Sequence, residues 1–490
     1  MEAAYQPNVS LASRVVLALV SAILFWFSFN LNPIWAAAWL APVPLLVAAY
    51  YSRTLVAVYL TWLAVGIGLS SNFTYYLKTT GPVATVPLLV LQVLVWGFFV
   101  ARARAAVVSS RSWWCVFVYP LLHAALSTLL SFFSPHGTWG SFAYTQMDAI
   151  PVIQIASLAG APAITFVIAL FASSVSVAIY RGLHISRPLL AYGLPALVIA
   201  GVLGYGVMRI RTAPPERTVR IGLASVDDFI GPRMPAQLNT AVWRRYAEIV
   251  AELSKEGARI VVLPEKISQL AGDQIASRQQ QLASLAQQNH VYLAAGLQLN
   301  RGDQKDNAFW LFSPTGELIN EYHKQHLVPH LEGDLAPGHQ NTIRTIDDAR
   351  FGLAICRDLL FSDFGRDYGR LNIAAMLAPA WDFYRDAWMA SSVAALRGVE
   401  SGYSVVRAGR ESYLNVSDRY GRTIARKRSD NLPGAYLIAD LPLGPALPTF
   451  YALHGNIFGW TCVLLSLLLL IKGAGRAASS KPAERLDRPK

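Results

Sequence analysis

Cysteine and charge are both scarce in this chain of 490 residues. Three cysteines occur, and two of them, Cys115 and Cys462, lie inside long hydrophobic segments. The polar region between residues 209 and 450 holds Cys356 alone, which excludes an internal disulfide there. The sequence also lacks a Gly-x-Ser-x-Gly elbow, a phosphate-binding loop and a His-Glu-x-x-His motif. These absences argue against a serine hydrolase, a P-loop protein and a zinc protease of the kinds that those motifs define.

The low charge content predicts a chain in two parts. Charged residues make up 15% of the sequence and hydrophobic residues 54%. That is too apolar for a soluble enzyme and too charged for a protein that lies entirely in the membrane. Eight apolar segments are each long enough to cross a hydrocarbon core of roughly 30 Å. They are residues 12–29, 34–51, 55–71, 83–101, 113–133, 157–180, 188–208 and 453–472.

The first of these segments could instead be a signal peptide. It has no charged leader directly before it, and no small-residue cleavage site follows it. We therefore expect it to be kept as a membrane helix.

The basic residues of the short loops predict which side of the membrane each loop faces. With a cytoplasmic N-terminus, the outside loops carry only Lys78, and the inside loops carry Arg53, Arg102, Arg104, Arg111, Arg181 and Arg187. An excess of Lys and Arg is typical of cytoplasmic loops. From Lys472 onward the chain has six basic and two acidic residues, which also suits the cytoplasm. The net charge of +12 is therefore attributed to topology and anionic lipid, and we expect no nucleic-acid partner.

Composition and charge together predict four regions. Residues 1–210 form a membrane domain of seven helices, and residues 218–445 form an extracytoplasmic domain. Residues 453–472 form an eighth membrane helix, and residues 473–490 form a basic cytoplasmic tail.

Strand-like and helix-like patterns alternate within the second region. Seven β-rich runs are predicted at residues 218–226, 259–264, 291–299, 307–312, 317–322, 351–355 and 373–377. Helical stretches follow several of them, and three more strands are expected between Tyr403 and Leu441. Such alternation predicts one α/β domain with layered sheets and outer helices.

Glu265, Lys324 and Cys356 each follow a predicted strand. Alone, Cys356 is either a buried, inert side chain or a nucleophile, and its location leaves both readings open. Alone, Glu265 could instead be an ordinary strand-end or cap residue, and most lysines placed like Lys324 lie on the surface. Together the three supply what acyl transfer needs: a thiol that attacks a carbonyl, a carboxylate that carries the proton, and a cation for the oxyanion.

The order and spacing of these residues resemble the nitrilase superfamily, whose Glu-Lys-Cys triad appears in this order. Glu265 and Lys324 are 59 residues apart, and Lys324 and Cys356 are 32 apart. Glu332 matches an additional active-site glutamate of many members. The resemblance implies an αββα sandwich in which Glu265 is the base and acid, Lys324 stabilises the oxyanion and Cys356 is the nucleophile.

The hydrophobic segments extend the resemblance to the membrane-embedded branch of that superfamily. The stretches 38–46, 138–144 and 153–160 are similar to membrane-domain motifs of the apolipoprotein N-acyltransferase family. The resemblance implies a multi-pass protein of the bacterial inner membrane with a periplasmic catalytic domain. It implies an acyl donor that is a phospholipid, a Cys356 thioester, and an acceptor that is the N-terminal amino group of a diacylglyceryl-cysteine lipoprotein, with no cofactor.

The flanks of the triad depart from the family pattern. Arg357 and Asp358 stand where the acyltransferases usually have Tyr-Glu, and Arg407 begins a rewritten stretch that runs to Ser412. We expect Glu332, Asp358 and Arg407 to support the triad. Two alternatives stay open: a membrane-tethered amidase or an acyltransferase with a different amine acceptor, and a non-catalytic envelope scaffold.

Aromatic residues cluster after the nucleophile and after the next strand. The members are Phe361, Phe364, Trp381, Phe383, Tyr384 and Trp388. They either line an entrance for an acyl chain or are core and interfacial aromatics.

Four histidines also surround Lys324: His323, His326, His330 and His339. Their spacing lacks the helical zinc arrangement, so we expect no metal there.

Overall fold

The N-terminal part of the chain is a bundle of apolar helices. The computed structural model describes residues 9–214, 216–228 and 235–479, with side chains up to residue 471. Residues 1–8 of the predicted membrane domain and residues 480–490 of the predicted tail lie outside the described residues. The bundle contains α1 (Leu11–Phe29), α2 (Trp35–Leu40), α3 (Pro42–Tyr50), α4 (Thr54–Leu69), α5 (Phe73–Ser109), α6 (Val118–Phe133), α7 (Ile150–Ile153), α8 (Ala156–Arg181) and α9 (Leu194–Arg211).

Several of these helices match the length that a bilayer requires. Among the described residues, five helical runs are long and apolar enough to cross a membrane, and two shorter apolar runs, Trp35–Tyr50 and Ile457–Ile471, accompany them. Apolar segments become helices because a helix satisfies every backbone hydrogen bond within itself. One run, Thr54–Ser109, covers two of the predicted segments, and α5 is broken inside it at Gly81, where φ is +75°. The number of spans therefore stays a prediction.

The second part of the chain contains two sheets and four helices. Its strands are β1 (Arg217–Ser225), β2 (Ile260–Val262), β3 (Gln269–Ala271), β4 (Tyr292–Arg301), β5 (Gln304–Phe312), β6 (Leu318–His323), β7 (Thr342–Ile346), β8 (Ala349–Leu353), β9 (Ala375–Trp381), β10 (Ser404–Arg410), β11 (Tyr413–Ser417), β12 (Thr423–Arg428) and β13 (Ala435–Leu443). Its helices are α10 (Ala236–Lys255), α11 (Asp273–Gln288), α12 (Ser362–Arg370) and α13 (Ala387–Ser401). Two more helices, α14 (Phe450–His454) and α15 (Ile457–Ser479), follow β13.

The prediction of three strands after Tyr403 is wrong, because four strands occupy that region. The strand without a clear signal is β12, whose basic residues leave no apolar alternation to read. It lies at the edge of its sheet, where charged side chains are common.

The two sheets pack face to face, as the αββα prediction requires. The first has the order β13-β1-β2-β4-β5-β6, with β3 beside β4, and the second has the order β12-β11-β10-β9-β8-β7. Apolar side chains from the inner faces of both sheets form one buried core. Helices α10 and α11 cover the outside of the first sheet, and α13 packs against the second.

The centre of each sheet is parallel, and this arrangement positions the site. β1, β2 and β4 run parallel in the first sheet, as do β8, β9 and β10 in the second. The carboxyl ends of β2, β8 and β9 therefore deliver Glu265, Cys356 and Asp382 to one region of the sandwich.

Helix α13 also joins the two parts of the molecule. Its apolar side chains, Trp388, Val393 and Leu396 among them, form a core with residues of α7 and α8. At the end of α13, Glu400 Oε1 accepts a hydrogen bond from the backbone N–H of Ala161, 2.8 Å away. This N–H lies beside a break in α8 at Gly160, where φ is +70°.

Candidate active site

Four polar side chains form a closed hydrogen-bonded group inside the sandwich. Lys324 Nζ lies 2.8 Å from Glu265 Oε1 and 2.9 Å from Glu332 Oε2. Asn307 Nδ2 donates to Oε1 of both glutamates, at 2.6 and 2.9 Å, and Lys266 forms an ion pair with Glu332. Two oxygens of this group, Glu265 Oε2 and Asn307 Oδ1, are buried without a hydrogen-bond partner among the described residues.

The charges of this group fix its protonation. Burial alone would lower the pKa of Lys324, but the carboxylates of Glu265 and Glu332 outweigh burial and hold the pKa above its ordinary value. Burial would likewise raise the pKa of Glu332, but Lys324 and Lys266 lower it to about 2. At neutral pH the site therefore contains a charged lysine and an ionised Glu332.

Cys356 opens a short 3-10 turn directly after β8. Its φ is +42°, a left-handed conformation that is uncommon for a residue with a Cβ and is found where neighbouring structure enforces it. The side chain is partly exposed, whereas Cys115 and Cys462 are buried. Its Sγ lies 3.6 Å from the carbonyl oxygen of Trp381.

The surroundings of Cys356 keep its thiol protonated. Desolvation and then the charge of Glu265 raise the pKa of the thiol, while the charge of Lys324 opposes them. At neutral pH this thiol is protonated and needs a base before it can attack a carbonyl. The carboxylate of Glu265 is the base at hand, and it has one oxygen uncommitted.

Asp358 joins the loop after Lys324 to the turn that carries Cys356 (the cysteine turn). It is fully buried, and its carboxylate accepts hydrogen bonds from Tyr322 Oη at 2.7 Å and from the backbone N–H of Ile355 at 3.0 Å. The backbone N–H groups of Gln325 and His326 donate to its other oxygen, at 3.2 and 2.8 Å. Asp358, predicted to support the triad, therefore makes direct hydrogen bonds both to the segment around Lys324 and to the residue before Cys356.

Arg407 lies on β10, beside the segment that follows β9. Its guanidinium forms a bidentate pair with the carboxylate of Asp382, at 2.6 and 2.9 Å, and also contacts Ser412 Oγ at 3.1 Å. Both charged groups are buried, and both influence the thiol of Cys356 electrostatically. Within the stretch that departs from the family pattern, Arg407 is therefore hydrogen-bonded to Ser412, and it is also paired with Asp382 in the segment after β9.

The membrane domain contacts the back of the cysteine turn. Arg357 donates to the carbonyl oxygen of Pro135, in the loop after α6. From the same loop, the N–H and Oγ1 of Thr138 donate to the carbonyl oxygen of Leu360, at 3.0 and 2.7 Å. Gly137 is so close that a Cβ there would lie 2.6 Å from that oxygen.

The predicted aromatic residues fall into different environments. Phe364 is buried in the sandwich core, and Trp388 is buried between α13 and the membrane helices. Phe361 is half-buried and stacks on the ring of His326 at 3.8 Å, and Trp381 contributes the carbonyl beside Cys356. The exposed members are Phe383 and Tyr384.

The histidines near Lys324 are used for other contacts. His326 Nδ1 lies 3.1 Å from Asp358, and His323 lies 3.1 Å from Glu321 and 3.4 Å from Asp306. Within the ranges that the structure describes, no group of three or more His, Cys, Asp or Glu side chains is placed to hold a metal ion.

Three residues of the site were not predicted from the sequence: Lys266, Asn307 and Asp382. Lys266 directly follows Glu265 and has a φ of +49°. The available signal for Asn307 was a polar residue on a strand that is otherwise buried.

Comparison with known proteins supports the two-part reading. The model of the apolipoprotein N-acyltransferase N-terminal domain matches residues 21–174, and the carbon-nitrogen hydrolase model matches residues 230–411. An apolipoprotein N-acyltransferase of Geobacter metallireducens is 25% identical, over 91% of this chain and 93% of its own length. Another, from Borreliella burgdorferi, is 22% identical over 68% of this chain and 70% of its own. Among solved structures, an amidase from Nesterenkonia sp. is 19% identical and covers 48% of this chain and 94% of the amidase, with a TM-score of 0.40.

The apolar helices and the carbon-nitrogen hydrolase match define a membrane protein with a carbon-nitrogen hydrolase domain. Together with the curated relatives, they define an N-acyltransferase of that superfamily. The two domain matches follow each other along the chain, and relatives of one name align with both. The chain is thus similar to apolipoprotein N-acyltransferases over most of its length.

Proposed function

We propose that this protein moves a fatty acyl chain from a phospholipid to the N-terminal amino group of a lipoprotein, through a thioester on Cys356. The observation that carries the proposal is the asymmetric use of Glu265. One carboxylate oxygen is held by Lys324 and Asn307, and the other is buried without a partner among the described residues, while the charge of Glu265 raises the pKa of the Cys356 thiol. A base that is fixed in place by one oxygen and free at the other is suited to proton transfer.

The first half-reaction loads the enzyme. Glu265 takes the proton from Cys356 Sγ, and the sulfur attacks the carbonyl carbon of a phospholipid ester. Lys324, helped by the backbone N–H of Arg357, stabilises the oxyanion. The tetrahedral intermediate collapses by breaking the carbon–oxygen bond, and Glu265 returns the proton to the leaving lysophospholipid oxygen.

The second half-reaction unloads it. The amino group of the acceptor attacks the thioester carbonyl and gives a proton to Glu265. The carbon–sulfur bond breaks, and Glu265 protonates the departing sulfur, so the enzyme returns to its starting state. Glu332 does not react in this scheme: its contacts with Lys324 and Asn307 keep the lysine charged and in position.

The location of the substrates fits the architecture. Donor and acceptor are both anchored in a bilayer, so a catalytic domain packed on membrane helices meets them without extracting them. The members of the aromatic group left for an acyl-chain entrance are Phe361, Trp381, Phe383 and Tyr384, because Phe364 and Trp388 are used in packed cores.

We extend the proposal to localisation. The loop arginines favour cytoplasmic N- and C-termini, an inner-membrane location and a periplasmic domain between about residues 218 and 445. Eight spans, seven before this domain and one after it, are part of the same proposal.

The test is complementation of a bacterial strain depleted of its own lipoprotein N-acyltransferase. We expect the wild-type chain, and the Cys115→Ala and Cys462→Ala control variants, to restore growth and N-acylated lipoprotein. Cys356→Ala should restore neither, at equal membrane abundance. Phospholipid cleavage without acylated lipoprotein would instead indicate water or a different amine as acceptor, and full transfer by Cys356→Ala would refute the thioester route.

A further inference from the structure

A cavity with both polar and apolar lining residues lies where the α/β domain meets α15. It has a volume of about 500 Å³, within the range of small-molecule sites. No residue of the candidate active site lines it. The lining residues are Phe132, Arg366, His454, Gly455, Asn456, Ile457, Trp460, Thr461 and Leu464.

Buried hydrogen-bond donors in this cavity lack acceptors. Asn456 is only 4% exposed, and its Oδ1 accepts from the N–H of Gly459 at 3.1 Å. Its Nδ2 is buried without a partner among the described residues, and the same is true of Arg366 Nε. The Arg366 side chain is 11% exposed and also pairs with Asp363 at 2.8 Å. A buried donor with no acceptor is costly in a folded protein, so an absent acceptor is implied.

The charge of the cavity favours an anion. Arg366 contributes a full positive charge, partly offset by the exposed Asp363. Asn456 stands directly before α15, a helix of 23 residues that begins at Ile457, so the positive end of the helix dipole faces the same region.

The apolar part of the lining indicates that the anionic group belongs to a lipid. Trp460, Ile457 and Leu464 are 41%, 56% and 58% exposed, on a helix apolar enough to lie in a membrane. Trp460 packs on Phe132 of α6, with ring centroids 5.1 Å apart. Aromatic side chains at the end of apolar helices are typical of the lipid headgroup level.

We infer that this cavity binds the phosphate-bearing headgroup of an anionic glycerophospholipid. The phosphate oxygens accept from Arg366 and Asn456, and the acyl chains run down the apolar surface of α15 and α6. The inference goes beyond the proposed acyl transfer, since the lipid here is bound and not consumed.

The test uses the full-length Cys356→Ala chain in detergent, which prevents turnover. Native mass spectrometry counts the lipids retained after addition of phosphatidylglycerol or phosphatidylcholine. We expect one phosphatidylglycerol to be retained roughly tenfold more tightly than phosphatidylcholine, because a charge-assisted contact is added. Excess inorganic phosphate should not displace it, since phosphate lacks the acyl chains.

Matched variants locate the binding. Arg366→Met removes the charge, and Thr461→Phe fills the cavity without touching Arg366; each should weaken retention roughly tenfold. Arg344→Met removes an exposed arginine on β7 and should change nothing. Equal retention by the Cys356→Ala chain with and without Arg366→Met or Thr461→Phe would overturn the inference, as would equal affinity for the two lipids. Displacement by inorganic phosphate would show a phosphate site and no lipid site, which also overturns it.

Discussion

At the scale of single residues, the site depends on how a few charges share two glutamates. Lys324 lies between Glu265 and Glu332, and Asn307 donates to both. This sharing leaves one oxygen of Glu265 without a partner among the described residues and engages both oxygens of Glu332. In the proposed mechanism, one glutamate, Glu265, therefore carries the proton, and the other, Glu332, holds the Lys324 cation.

The protonation of Cys356 gives a prediction about its reactivity with pH. Because burial and Glu265 raise the pKa of the thiol, alkylation by iodoacetamide should still be accelerating above pH about 9, beyond the ordinary cysteine pKa of about 8.5. Glu265→Gln removes a negative charge and should move the profile to lower pH by about one unit. Lys324→Gln removes a positive charge and should move it to higher pH.

The measurement uses chains in which Cys115 and Cys462 are replaced by alanine, so that only Cys356 reacts. A wild-type midpoint at or below pH 8, or shifts of the same sign in both variants, would contradict this electrostatic account.

Glu265, Lys324 and Cys356 were selected from the sequence because each follows a strand and the family spacing connects them, and their catalytic roles stay a prediction. Asn307 and Lys266 could not be found in this way. Asn307 reaches both glutamates only in the folded chain, and Lys266, although it directly follows Glu265, pairs with the distant Glu332. The contact of Arg357 with Pro135 joins residues 222 positions apart, which no local pattern reveals.

At the scale of elements, the fold class was confirmed, and the errors have a common cause. Predicted strands rested on apolar alternation, so the polar edge strand β12 was missed and the short strands β3 and β7 were not identified. The break in α8 at Gly160, inside the predicted segment 157–180, was also missed, whereas the break at Gly81 falls between the predicted segments 55–71 and 83–101. A glycine inside an apolar run reads as helix until its φ is known.

The break at Gly160 is a second testable feature. Its φ is +70°, and a Cβ there would lie 2.5 Å from the ring of Tyr451. Gly160→Ala should therefore destabilise the protein by roughly 2–4 kcal/mol, from backbone strain and overpacking together. Gly204→Ala is the control, since a Cβ there meets nothing within 4 Å. Thermal unfolding in detergent should show a lower Tm for the first variant and an unchanged or higher Tm for the second; equal Tm values would count against the contact.

At the scale of the whole molecule, the membrane domain takes part in shaping the active site. The loop after α6 supports the turn that carries Cys356, and α13 packs between the second sheet and the membrane helices. The helices are thus more than an anchor. The loop after α6 contacts the Cys356 turn on one side, and the sandwich contacts it on the other.

Gly137 tests this support. Gly137→Ala would place a Cβ 2.6 Å from the carbonyl oxygen of Leu360 and push on the cysteine turn. The displaced turn would no longer hold Cys356 in its reactive position, and acyl transfer should fall roughly tenfold to a hundredfold. Gly140→Ala shares the left-handed backbone, but its nearest neighbour is Tyr76 Oη at 4.0 Å, so its activity should stay within about threefold of wild type. Equal activity of the two variants in a transfer assay would show that the loop does not shape the site.

The central claim is that Cys356 carries the acyl group. The most direct measurement is mass spectrometry of the full-length protein after incubation with a phospholipid of known acyl chains and no acceptor. We predict an adduct of one acyl group on the peptide that contains Cys356, released by hydroxylamine and absent from Cys356→Ala. Consumption of phospholipid with Cys356 unmodified, or an acyl adduct that persists in Cys356→Ala, would contradict the account.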